Sequence, residues 1–254
     1  MSLLHAEYLK ISRRKLYPLM VVILGVFVGA AAFFLLAFGQ IAPELADDVP
    51  VLERPEAYIT GAQQVAGQTW FGLILAVVLL GGEFGTTAWA TALTRDARKP
   101  VHIMARLAVF VAAAWVAMLL ATAGWALLVT FVSPGSGGPD LVEWGGIALK
   151  LGLIQLAWVS LGMGAISILR SIGPAIGVVI GFSFIESLLG LWAPYENISL
   201  TAASTGLFQT EDLGVFAQFV PGADMGTAQS VAIIVGWSIL GILLTWIGIQ
   251  RRDA

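Results

Sequence analysis

The chain contains no cysteine, only two histidines and only four lysines among 254 residues. Without cysteine there are no disulfides, thiolate metal sites or cysteine nucleophiles. Two histidines that lie far apart, His5 and His102, cannot supply a multi-histidine metal site. The lysines at 10, 15, 99 and 150 follow Leu9, Arg14, Arg98 and Leu149. A phosphate-binding loop of the G-x-x-x-x-G-K-[ST] type needs glycine at that place, so the chain has no such device for ATP. Charge is scarce too. Charged residues make up 11% of the chain, less than half of the roughly 25% of a soluble domain. A water-covered enzyme and a nucleic-acid-binding module are both excluded by that figure.

What fills the chain is apolar. Hydrophobic residues reach 58%, the mean hydropathy is +0.89, and the long apolar runs match the roughly 20 residues needed to cross a bilayer. Six spans follow: Tyr17–Phe38, Ala66–Leu80, Leu107–Val132, Trp144–Leu169, Ile172–Trp192 and Gln229–Ile249. The second is short and is expected to draw on Tyr58–Val65 or Gly81–Phe84. Backbone polar groups in hydrocarbon must satisfy one another, so each span is read as a helix. The fold class is therefore all-α, a polytopic membrane protein forming a single domain over 1–254. Gly25 and Gly29, and Gly173, Gly177 and Gly181, recur at every fourth residue, a spacing that predicts close helix packing.

Orientation follows from the basic residues. Lys10, Arg13, Arg14, Lys15, Arg95, Arg98, Lys99, Arg106, Arg170, Arg251 and Arg252 fall on one side of the six-span arrangement, and only Arg54 and Lys150 lie elsewhere. Positive residues mark the cytoplasmic side, which predicts a multi-pass protein of the cell (plasma or inner) membrane with both termini cytoplasmic. The first apolar stretch is too long for the 7–15 residues of a signal peptide core and reads as a permanent anchor. Ahead of it, Leu4, Tyr8 and Ile11 share one helical face while Lys10, Arg13 and Arg14 lie around the other. This predicts an interfacial helix within 1–16. In the outer region 193–228, Leu200–Leu207 and Leu213–Val220 are too short to span, a length that suits short re-entrant helices between spans five and six.

Ionisable groups inside the spans are few. Glu186 lies about 14 residues, roughly 21 Å, into span five. A carboxylate there costs about 2.5–3.5 kcal/mol on insertion scales, so it is expected to line a pathway or to make a polar contact between helices. Lys150 on span four is a possible partner, although it sits roughly 10 Å farther out.

The segment 81–106 carries the most specific pattern. It reads Gly82-Glu83-Phe84-Gly85-Thr86-Thr87, then Ala92-Leu93-Thr94-Arg95, then Arg98-Lys99-Pro100, and enters span three through Met104-Ala105-Arg106-Leu107. An amphipathic stretch that opens with one acid and closes on a basic cluster suits docking of a cytoplasmic partner. The order of these features resembles the permease subunits of type-2 ATP-binding-cassette (ABC) exporters. There too, span two ends in a glutamate and an aromatic residue, and a leucine-containing turn and a basic stretch lead into span three. One departure is that Gly85-Thr86 follows the aromatic residue without the family's two-residue spacer. The basic N-terminal helix, the six spans, the short helices between spans five and six and the Arg251-Arg252-Asp253 tail agree with the family layout.

The resemblance implies a transporter subunit rather than an enzyme. It implies a second permease chain, the same or related, and separate ABC ATPase subunits that hold ATP and Mg. It also implies a coupling role for Glu83, Phe84, Leu93, Arg95, Arg98, Lys99 and Arg106. An intramembrane enzyme acting on lipid or peptide would need clustered polar groups within the spans. A stand-alone carrier or channel would need paired polar residues at mid-depth and an internal repeat.

Overall fold

A computed structural model describes residues 3–12, 15–41, 57–68, 70–84, 99–132, 140–189, 192–208 and 225–251. Among the described residues the secondary structure is helical, with no strand. The elements are α1 (Leu3–Ser12), α2 (Leu16–Ile41), α3 (Ala57–Ala66), α4 (Trp70–Phe84), α5 (Lys99–Val132), α6 (Leu141–Leu169), α7 (Ile172–Leu189), α8 (Ala193–Glu196), α9 (Leu200–Gly206) and α10 (Thr227–Gln250). Six spans are long and apolar enough to cross a membrane: α2, α3 with α4, α5, α6, α7 and α10.

Span two draws on both flanks, running from Ala57 to Phe84 as two helices. At the break, Gly67 N–H donates to the Gln63 carbonyl (2.9 Å) and Gln68 N–H to that of Val65 (3.0 Å). The Gln68 side-chain oxygen accepts from the Trp70 indole N–H at 2.9 Å. The Gln68 side-chain nitrogen donates to the Gln64 carbonyl at 3.4 Å, a group that a continuous helix would have paired with a backbone N–H. At the other end the helices run past the expected boundaries. Glu83 and Phe84 are the last residues of α4, and Lys99 opens α5. Of the segment 81–106, only 85–98 lies between the two helices.

Span four is the centre of the bundle. In its most apolar stretch 72% of residues are buried, against 17% in span five and 22% in span one. Lipid tails are as apolar as leucine, so what holds such helices together is close packing of small residues. The most extensive contact is between α6 and α10. A Cβ on Gly241 would stand 2.5 Å from the Ser160 carbonyl carbon, and one on Gly248 would stand 2.6 Å from that of Ser167. Gly162 meets the Leu73 carbonyl oxygen of α4 in the same way, at 2.5 Å. The glycine stripes singled out by spacing behave differently. At Gly25, Gly29, Gly173, Gly177 and Gly181 nothing among the described residues lies within 4 Å of a Cβ position; Gly25 and Gly29 instead line a groove against Ala121 and Gly124 of α5.

The α6–α7 turn is closed by Arg170, which adopts the left-handed conformation (φ 60°) while its N–H donates to the Ile166 carbonyl at 2.9 Å. The capping box of Asp140 and Glu143 starts α6 at the opposite end.

Candidate functional site

Among the described residues three buried carboxylates organise the two ends of the bundle, Glu7 and Glu83 at one and Glu186 at the other. At the basic end, the last turn of α4 places Glu83 opposite the second turn of α5, where Arg106 is fully buried. Arg106 Nε and Nη2 both reach Glu83 Oε2, at 2.8 and 2.7 Å. Its Nη1 donates to the carbonyl of His102 one turn earlier (3.3 Å). The helix α1 completes the cluster. Glu7 Oε1 lies 3.5 Å from Arg106 Nη2, and Lys10 Nζ reaches Glu7 Oε1 at 2.9 Å and Glu83 Oε1 at 3.5 Å. Among the described residues two acids and two bases, formally neutral together, tie three helices to one another. Glu7 and Glu83 are 3% and 4% exposed at their side chains, whereas Lys10 keeps 39% and lies at the rim. Buried charges of this kind persist only when paired and hydrogen-bonded.

Of the sequence-predicted coupling residues, the structure brings Glu83 and Arg106 into direct contact. Phe84 and Lys99 stand at the two helix ends, each partly buried. Leu93, Arg95 and Arg98 lie outside the described residues. Pattern reading passed over Glu7, because the Leu4–Tyr8–Ile11 spacing drew attention to another face of α1. In the structure Ile11 is buried, while Leu4 and Tyr8 are 51% and 60% exposed. The available signal was Glu7 itself: the lone acid before Glu44, three residues from Lys10.

At the acidic end, Glu186 of α7 is 1% exposed. It accepts from Tyr195 Oη (2.5 Å), from Ser199 Oγ (3.0 Å), from Thr201 N–H (3.2 Å) and from Leu200 N–H. The carboxylate therefore caps the first turn of α9, while Ser199 Oγ accepts from Ala202 N–H at 3.1 Å. A negative group at a helix N-terminus meets both its unsatisfied N–H groups and its dipole. Burial, followed by the hydrogen bond to and charge of Glu186, pushes the Tyr195 hydroxyl above its ordinary value. The expected partner Lys150 goes elsewhere. Its Nζ stands 5.3 Å from the Phe208 ring centre, a cation–π contact beside α9, and no ion pair joins it to Glu186 among the described residues.

The described part of the segment after span five folds back onto the bundle. Helix α9 packs against α10 and α7; Leu200, Ala202, Ala203, Leu207 and Phe208 are buried. The Trp237 indole N–H donates to the Ile198 carbonyl at 2.9 Å. The stretch Leu213–Val220 lies outside the described residues. At mid-depth on α6, the buried amide of Gln155 finds no hydrogen-bond partner among the described residues. It sits against Gly72, where a Cβ would meet its oxygen.

Comparison with protein-family models and with curated proteins finds no match. The functional reading therefore rests on this geometry and on the order of motifs along the chain.

Proposed function

We propose that the chain is the membrane-spanning subunit of an ABC exporter, forming the substrate pathway and coupling it to separate ATPase subunits. In this reading the basic end faces the cytoplasm and α1 lies along the inner surface of the cell membrane. The observation that carries it is the Glu7–Lys10–Glu83–Arg106 network. It fixes the helix ends on both sides of segment 85–98 to each other and to α1. A push delivered by an ATPase at 85–98 is then passed to spans two and three together rather than absorbed at a hinge between them. Arg95, Arg98 and Lys99 supply the positive charge that meets an acidic surface of the ATPase. The chain itself makes and breaks no bonds; ATP and Mg belong to the partner.

Spans one and five complete the assignment of partners. They are the least buried of the six spans; the stripe of Gly173, Gly177 and Gly181 meets nothing within 4 Å among the described residues, and Gly25 and Gly29 open on a groove beside α5. Small residues on an unoccupied helix face suit the close approach of a second permease chain. Short helices beyond span five, held by Glu186, then close the pathway on the outer side, where α9 dips between spans five and six as a re-entrant element.

Co-purification tests the reading. Tagged protein drawn from its native membranes should bring down a nucleotide-hydrolysing subunit, and Arg95→Glu, Arg98→Glu and Lys99→Glu together should reduce its recovery severalfold. Transport by the purified chain alone, in vesicles without any companion subunit, would contradict it.

A further inference from the structure

An apolar groove of about 300 Å³ runs between α6, α7 and α10 in the half of the bundle nearer the basic end. Its walls include Ile168, Val178, Phe182, Trp237, Leu240 and Leu244. From Trp237 to Leu244 it extends seven residues along α10, roughly 10 Å. Several of these side chains are open to the surroundings: Ile168 is 45% exposed, Val178 52% and Leu240 41%. The groove is thus a slot opening sideways into the bilayer. Its walls are almost wholly hydrocarbon, and they reach from about one helical turn inside the basic end to mid-depth.

Positive charge stands at the end of that slot. Arg170 follows Ile168 and Leu169 directly, and its left-handed backbone swings the side chain across the end of the bundle. There its Nη2 donates to the Arg251 carbonyl at 2.8 Å. Both arginines are exposed. That bond takes one of the five guanidinium donors of Arg170, and the remaining fork matches phosphate geometry. Arg170 and Arg251 thus bridge the ends of α6 and α10, the two helices that wall the groove.

We propose that this groove and the two arginines hold one anionic phospholipid. An acyl chain lies in the slot, and the headgroup phosphate sits on Arg170 and Arg251. Charge complementarity selects the occupant. A zwitterionic lipid carries its own cation beside the phosphate and gains less from two arginines, each of which is worth about fivefold in binding near a membrane surface.

The test uses full-length protein reconstituted in bilayers of equal parts phosphatidylcholine and phosphatidylglycerol. Native mass spectrometry then reads the lipid retained after extraction. Phosphatidylglycerol should be retained over phosphatidylcholine by tenfold or more. Arg170→Asn keeps a residue at ease in the left-handed turn and should lower that preference about fivefold, while Arg170→Lys preserves most of it. Val178→Trp, which fills the slot from a partly exposed position, should reduce retention of both lipids. Inorganic phosphate at millimolar concentration should leave retention unchanged. Equal retention of the two lipids, an unaltered preference in Arg170→Asn, or displacement by inorganic phosphate alone would each overturn the proposal.

Discussion

The two ends of the bundle bury a carboxylate by opposite means. At the basic end Glu83 meets cations on side chains from two other helices, and the formal charge of Glu7, Lys10, Glu83 and Arg106 sums to zero. At the acidic end the donors that Glu186 meets among the described residues are neutral: a phenol, a hydroxyl and the backbone N–H groups of a short helix. The first arrangement links elements far apart in sequence, Lys10 with Glu83 and Glu83 with Arg106. The second closes a local loop, since its partners lie 9 to 15 residues beyond Glu186. Losing one member of a network of mutual ion pairs leaves a buried charge without its compensation. A capped helix loses its cap and keeps its apolar packing. In the proposed function the basic end moves as one body, and the acidic end opens by releasing a short segment.

Removing one charge at the basic end should produce the largest effect. Arg106→Met leaves Glu83 and Glu7 buried opposite an apolar side chain and should cost about 3–5 kcal/mol. Adding Glu83→Leu to Arg106→Met should recover a large part of that loss, because the Glu7–Lys10 pair remains intact and the uncompensated acid is gone. Thermal unfolding in detergent reads both; a double variant no better than Arg106→Met would show that the pair acts independently of its neutralisation.

At the acidic end the expected loss is smaller. Glu186→Ala leaves the hydroxyl of Ser199 and the N–H groups of Leu200 and Thr201 without their acceptor, costing about 1–3 kcal/mol. Proteolysis should then cut near α9 while spans five and six stay intact. Cleavage spread evenly over the chain would contradict a lid held by this one carboxylate.

The smallest effect is read against pH. Tyr195 holds its proton more tightly in the folded protein than its ordinary value of 10.0. Its contribution is therefore fully present below about pH 10 and is lost as pH rises through the higher folded value. Tyr195→Phe cannot ionise, so its stability should decline less than that of the native protein above pH 10. Parallel alkaline melting curves would remove Tyr195 from the cap.

Much of the fold was legible because lipid allows few solutions. Apolar runs of spanning length set the six helices, and the positions of Glu83 and Arg106 stood out from the order of motifs around them. Partner choice was not legible. Spacing marks Gly173, Gly177 and Gly181 as a small-residue face but cannot say what it meets, while the α10 seam that does close mixes residue types, with Ser238, Gly241, Thr245 and Gly248 three or four residues apart. The burial of Glu186 was foreseeable from the cost of a carboxylate in hydrocarbon. Its acceptor role was not, because Ser199 and Leu200 approach it only once the chain after span five folds back. Lys150 illustrates the same gap: charge pointed to Glu186, whereas depth in the bundle delivered it to Phe208.

The absence of native cysteine makes the central claim directly measurable. Paired spin labels at Tyr8→Cys on α1 and Val101→Cys on α5 sit on exposed positions clear of the ion pairs. Double electron–electron resonance on this pair should give one narrow distance in the native background and a broad distribution once Arg106→Met is introduced. A distribution equally narrow in both, or equally broad in both, would contradict a charge network that locks α1 to the ends of spans two and three.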